Sequence, residues 1–102
     1  MTTAGSRREA RERALGLLYE AEAKGEAPRA VLDALPIDPD PYAARLVAGV
    51  EAHREEIDGL LRRFARGWKL ERMPAVDRAI LRVGTYELLA EPGVPTPAVV
   101  SE

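Results

Sequence analysis

Residues 68–89 read WKLERMPAVDRAILRVGTYELL, and the fold turns on that stretch. A short lead-in is followed by a helix predicted from Pro74 to about Ala90. Val76, Ala79, Ile80, Val83 and Tyr86 recur at the i, i+3, i+4, i+7 spacing of a helix face. Leu81, Leu88 and Leu89 widen that stripe until it nearly closes the circle. A helix apolar on most of its circumference belongs in the middle of a bundle, with neighbours on several sides. Gly84 costs the helix interior about 1 kcal/mol relative to alanine, which marks it as a point of close approach by another helix. Pro74 suits the first turn, where a missing N–H costs nothing. Asp77 and Glu87 intrude toward the apolar side, where a carboxylate must find a partner or water. Two readings are open for them. One is an internal pairing with Arg78, Arg82 or an arginine of the first helix; the other is an acidic contact for a basic partner protein.

Working outward, the segment before this helix ends another long one. Pro41 to about Arg66 carries Ala43, Leu46, Val47, Val50, Ile57, Leu60, Leu61 and Phe64 at helical spacing, which predicts a single core-spanning helix. Asp40 is its N-cap and Pro41 its first residue; Gly67 ends it. Arg62, Arg63 and Arg66 lie at its C-terminal end, where the helix dipole favours cations. His53 falls on or beside the stripe and reads as a structural or surface residue. Trp68 reads as a packing anchor over the seam between helices, with base stacking as the other use of an exposed indole. Met73 is core filler. Upstream, Pro28–Leu35 is a short helix. The prolines at 36, 39 and 41 make a stiff connector, because proline excludes helix both at its own position and before it.

The first helix is predicted from Ser6, whose spacing to Glu9 is that of a capping box, to about Lys24, with Gly25 as its stop. Met1–Gly5 is small, polar and expected to be flexible. Ala10, Ala14, Leu17, Leu18 and Ala21 form the buried stripe. The first turns also carry Arg7, Arg8, Arg11 and Arg13. Cations there oppose the helix dipole, although Arg8–Glu12 and Glu9–Arg13 pairs soften the conflict. Arg7, Arg8 and Arg11 project within about a third of the circumference. Such an end suits a phosphate backbone; a solvated surface helix laced with i,i+4 pairs is the other reading.

Composition excludes several classes. The chain has 102 residues, a formal net charge of −2 and no cysteine. Disulfides and thiol chemistry are out, and any nucleic-acid site must come from local charge asymmetry. No apolar run approaches the roughly 20 residues of a membrane span, and no signal-type hydrophobic segment opens the chain. These point to a cytoplasmic protein without membrane contact. No phosphate-binding glycine loop, nucleophile elbow or metal-ligand spacing is present, so neither an enzyme nor a cofactor is expected. The turn at Glu91–Pro95 is followed by Thr96, which can cap a further helix begun by residues 97–102.

Two stretches resemble a known family. ERMPAVDRAILRVGTYELL followed by PGVPTPAVVSE (71–89 and 92–102) resembles the late half of the NusB family, bacterial transcription-antitermination factors. RREARERALGLLYEAE (7–22) resembles that family's arginine-rich first helix. The resemblance implies an all-α, NusB-like helical bundle, with residues 1–102 as one RNA-binding domain that lacks the family's last helices. Apolar surface on the third and fourth helices is then expected to stand uncovered, as in a fragment or a chain covered by another. It also implies binding of boxA-type RNA of ribosomal RNA transcripts, jointly with NusE, a small-subunit ribosomal protein, within an RNA polymerase antitermination complex. Residue by residue, Arg7, Arg8 and Arg11 fall on the RNA-binding helix, where the family often has a further arginine in place of Glu9. Tyr19, Asp77 and Glu87 fall where the family meets its basic partner. A homodimer that hides the RNA surface is known in the family. The same resemblance admits a NusB-like N-terminal domain of an rRNA cytosine methyltransferase. A helical scaffold that binds protein only is the remaining alternative.

Overall fold

The fold follows from a computed structural model that describes residues 4–64, 67 and 69–90. Every regular element among them is helical. The order is α1 (Ala4–Lys24), α2 (Pro28–Asp33), α3 (Pro41–Ala52), α4 (Arg54–Phe64), a 3₁₀ turn at Leu70–Arg72 and α5 (Ala75–Ala90). The all-α expectation is met. Met1–Thr3, Arg66, Trp68 and the predicted turn and helix start at 91–102 lie outside the described residues.

Local chemistry explains most boundaries. Gly25 ends α1 at φ 67°, a left-handed conformation that glycine adopts without strain. Asp40 caps α3 by accepting hydrogen bonds from the amides of Tyr42 (2.7 Å) and Ala43 (3.4 Å). Two boundaries differ from expectation. α1 already runs at Ala4, two residues before the predicted start at Ser6. The helix predicted over 41–66 is two helices, broken at His53, which leaves helical geometry at φ −110°, ψ 23°. Between Val50 and Ile57 the chain reads EAHREE, with no large apolar side chain to hold the helix straight against the core. One residue out of register barely alters the 3.6-residue period, so the periodicity runs through the break unchanged.

α1 is the hub, packing against α2, α3 and α5. Its seam is Ala10, Ala14, Leu17 and Ala21, all at most 3% exposed. Three of these four are alanines, which lets neighbouring helices approach closely. Val31 from α2, Tyr42, Ala43, Leu46, Val47 and Val50 from α3, Ile57 from α4, and Val83 and Tyr86 from α5 complete the core. Ion pairs at both ends, Arg11 with Glu87 and Glu22 with Arg78, set α1 and α5 antiparallel.

α5 does not sit in the middle of the bundle. Ala79, Val83 and Tyr86 are buried, but Val76, Ile80, Leu81, Leu88 and Leu89 are 38–49% exposed. The described helices cover one side of α5 only, so the second half of its apolar circumference faces outward, in line with the uncovered surface expected from the resemblance. Gly84 is half-buried, and a Cβ added there would meet no other part of the fold within 4 Å. The close approach expected there occurs instead at Gly49 on α3, where an added Cβ would run into the Tyr86 ring.

Candidate nucleic-acid interface

The arginines of α1 divide into three environments. Arg8 is exposed. Arg7 lays its guanidinium over the Tyr42 ring, with Cζ 4.1 Å from the centroid, a cation–π arrangement that keeps the positive charge available. Arg11 donates from Nε to both carboxylate oxygens of Glu87, at 3.0 and 2.9 Å. Glu87 is only 6% exposed, and its Oε2 also accepts the Tyr42 hydroxyl at 2.5 Å. Of the readings open for Glu87, the internal pairing with an arginine of the first helix is the one the geometry contains. The pairs Arg8–Glu12 and Glu9–Arg13 do not form among the described residues.

Tyr42 was not singled out by sequence reasoning, yet it joins α1, α3 and α5 at this end. The Asp40 cap and Pro41 fix its backbone in the first turn of α3, and its hydroxyl is held by a carboxylate of α5. The signal was there in retrospect: an aromatic one step past a proline-initiated helix start is rigidly placed. Three positions on, one helical turn away, Arg45 also lies over this ring, with Cζ 5.1 Å from the centroid.

The expected partner residues do not lie together. Tyr19 is 48% exposed, and Asp77 is exposed with no ion pair among the described residues. Both lie toward the Glu22–Arg78 end of the antiparallel α1–α5 pair, whereas Glu87 closes the arginine end. Arg78 and Arg82 are not the partners of Asp77 or Glu87. Arg78 donates to the Glu22 carboxylate and to the carbonyls of Leu70 (3.2 Å) and Met73 (2.6 Å), holding the 3₁₀ turn against α5. Arg82 donates to Asp58 from Nε at 2.8 Å and from Nη2 at 3.0 Å, and Arg54 reaches the same carboxylate at 3.1 Å. Burial alone pushes the Asp58 carboxyl up, but the hydrogen bonds and charge of Arg82, then those of Arg54, outweigh it and hold it below the usual carboxylate range.

A cleft of about 450 Å³ opens beside this pair. Its guanidiniums are already committed: Arg54 and Arg82 to Asp58, Arg62 to Glu71, Arg78 to Glu22. Arg54 and Arg82 share one carboxylate, but Glu26 and Glu51 also line the cleft, so its charge balance is acidic and does not favour an anionic ligand. His53 is exposed and lies 3.6 Å from Glu56. Among the described residues no cluster could hold a metal ion, and no helix is long and apolar enough to cross a membrane.

The profile of the NusB family matches residues 8–102. A protein of Kineococcus radiotolerans named transcription antitermination protein NusB is 46% identical, over 95% of this chain and 74% of its own length. One of the same name from Beutenbergia cavernae is 49% identical, over 95% of this chain and 72% of its own. Among solved structures, T. maritima NusB superposes with a TM-score of 0.79 at 29% identity, covering 99% of this chain and 74% of that one. The name these relatives share is that of a regulatory factor and not of an enzyme.

Proposed function

The chain belongs to the NusB family of transcription antitermination proteins, and on that premise we propose that it binds boxA-type RNA of ribosomal RNA transcripts together with a basic small-subunit ribosomal protein of the NusE kind, within an antitermination complex on RNA polymerase. On this reading residues 1–102 act as one RNA-binding domain in the cytoplasm. The observation that carries it is the arginine end of α1, where Arg7 and Arg8 keep their charge in a chain of net charge −2. A phosphate backbone is drawn to that end and not to the acidic remainder. Arg11 belongs to the same end, partly neutralised by Glu87.

Tyr19 and Asp77 are proposed as partner contacts. They lie at the other end of the α1–α5 pair, so RNA and partner do not compete for one surface. A basic protein docked on Asp77 adds positive surface that this chain lacks, which makes tight RNA binding dependent on the partner. A partner reaches Glu87 only if Arg11 and Tyr42 release it.

The test is a fluorescence-anisotropy titration of boxA RNA and a scrambled control, with the chain alone and with the ribosomal partner. Tighter, boxA-selective binding in the presence of the partner is expected. RNA affinity with no boxA preference and no response to Arg7→Ala or Arg8→Ala would overturn the reading in favour of a protein-only scaffold.

A further inference from the structure

We propose that Glu87 is a positioning residue for RNA: it grips Arg11 by Nε alone and leaves both Nη groups in solvent as a fork for one phosphate. This rests on the RNA-binding reading above and says how one arginine of that site is held.

The contact is one-sided. Arg11 donates a single N–H, on Nε, to both oxygens of Glu87, at 3.0 and 2.9 Å. A guanidinium has five N–H donors, so the remaining ones are all on Nη1 and Nη2. These make no hydrogen bond among the described residues, and no unbonded side-chain nitrogen there is buried. The Arg11 side chain accordingly keeps 37% of its surface exposed, against 7% for Glu87. Arg82 shows the opposite use of an arginine. It grips Asp58 with Nε and Nη2 together and is 10% exposed at the side chain, so that its guanidinium is spent on the fold.

The grip is also fixed from behind. Glu87 belongs to α5, and its Oε2 accepts the Tyr42 hydroxyl of α3 at 2.5 Å. A carboxylate pinned between two helices cannot follow a moving side chain, so Arg11 gives up rotamers before a ligand arrives and binding is spared that entropy. The planar pair of Nη groups then matches two oxygens of a phosphate. Glu87 offsets part of the Arg11 charge as well, a cost that any neutral replacement removes. Position and charge are therefore separable by two neutral replacements. Glutamine keeps an acceptor for Nε, whereas methionine keeps the length and bulk without a strong acceptor.

The experiment measures the affinity of the full chain for a labelled single-stranded boxA-type RNA by fluorescence anisotropy. The proteins are wild type, Arg8→Ala, Arg11→Ala, and Glu87→Gln and Glu87→Met each alone and combined with Arg11→Ala, all first confirmed helical by circular dichroism. Glu87→Gln is expected to bind about five-fold tighter than Glu87→Met, the weight of one pre-ordered side chain. In the Arg11→Ala background that difference is expected to vanish. Equal affinities for the glutamine and methionine variants overturn the inference. A difference that persists in Arg11→Ala also overturns it, since Glu87 then acts through the packing of the seam and not through Arg11. Binding weakened by Arg8→Ala but untouched by Arg11→Ala overturns it too and leaves the RNA reading intact. Wild-type protein without salt-dependent RNA binding removes the RNA reading itself, and this inference with it.

Discussion

Arg11 and Glu87 face each other across the α1–α5 seam, with one guanidinium nitrogen shared between both oxygens of a nearly buried carboxylate. This contact separates neighbouring arginines by role. Arg11→Ala leaves Glu87 buried with only the Tyr42 hydroxyl for support and is expected to cost about 2 kcal/mol. Arg8→Ala, fully at the surface, should stay within about 0.5 kcal/mol of wild type. Urea denaturation of the two variants checks this; equal losses would mean that the pair does not hold the seam.

Glu87→Gln keeps the shape of the side chain and removes its charge. Arg11 then carries an uncancelled charge at the RNA end. The salt slope of RNA binding is expected to steepen, by up to about 0.7, while the midpoint of urea unfolding falls. An unchanged slope would show that Arg11 does not meet phosphate even when released.

Asp58 titrates below its ordinary value of 3.8. A carboxyl depressed in the folded state binds protons more tightly in the unfolded chain, so its stabilisation is present above the ordinary carboxylate pKa. It is lost as pH falls through the lower folded value. Stability should therefore decline below about pH 4, and Asp58→Asn should be less stable at pH 7 with a shallower acid limb. Asp58→Ala, which strands Arg82 in the interior, is expected to cost about 3 kcal/mol at pH 7. Thermal melts between acid and neutral pH read both effects.

Gly84 of α5 and Gly49 of α3 should respond oppositely to alanine. Gly84→Ala meets no neighbour and should gain up to about 1 kcal/mol from helix propensity. Gly49→Ala drives a methyl group into Tyr86 and should lose about 1–3 kcal/mol. Calorimetric melting temperatures that move in the same direction would contradict the packing described.

The helices were legible in the sequence because their starts and stops carry local chemistry: Asp40 before Pro41, Gly25 after Lys24. The split at His53 was not, since one non-helical residue leaves the apolar period intact. The outward half of α5 was hidden for a different reason. Val76, Ile80 and Leu88 look as apolar as Val83, and only the placement of the other helices decides which of them is covered. At the arginine end the charges could be read directly, but not their fates. That Arg11 is turned onto Glu87 and Arg7 laid over Tyr42 depends on contacts 76 and 35 residues apart, beyond the reach of any local pattern.

The non-helical residue at His53 also divides the chain's response to thermal agitation. α3 contributes much of the core, whereas α4 is fastened chiefly by Ile57 and by the Asp58–Arg82 pin. With helical geometry already interrupted at His53, α4 can peel away as one cooperative segment while α1, α3 and α5 stay packed. Its amides then exchange with solvent deuterium ahead of those of α3, and the lead widens in acid, as Asp58 takes up its proton.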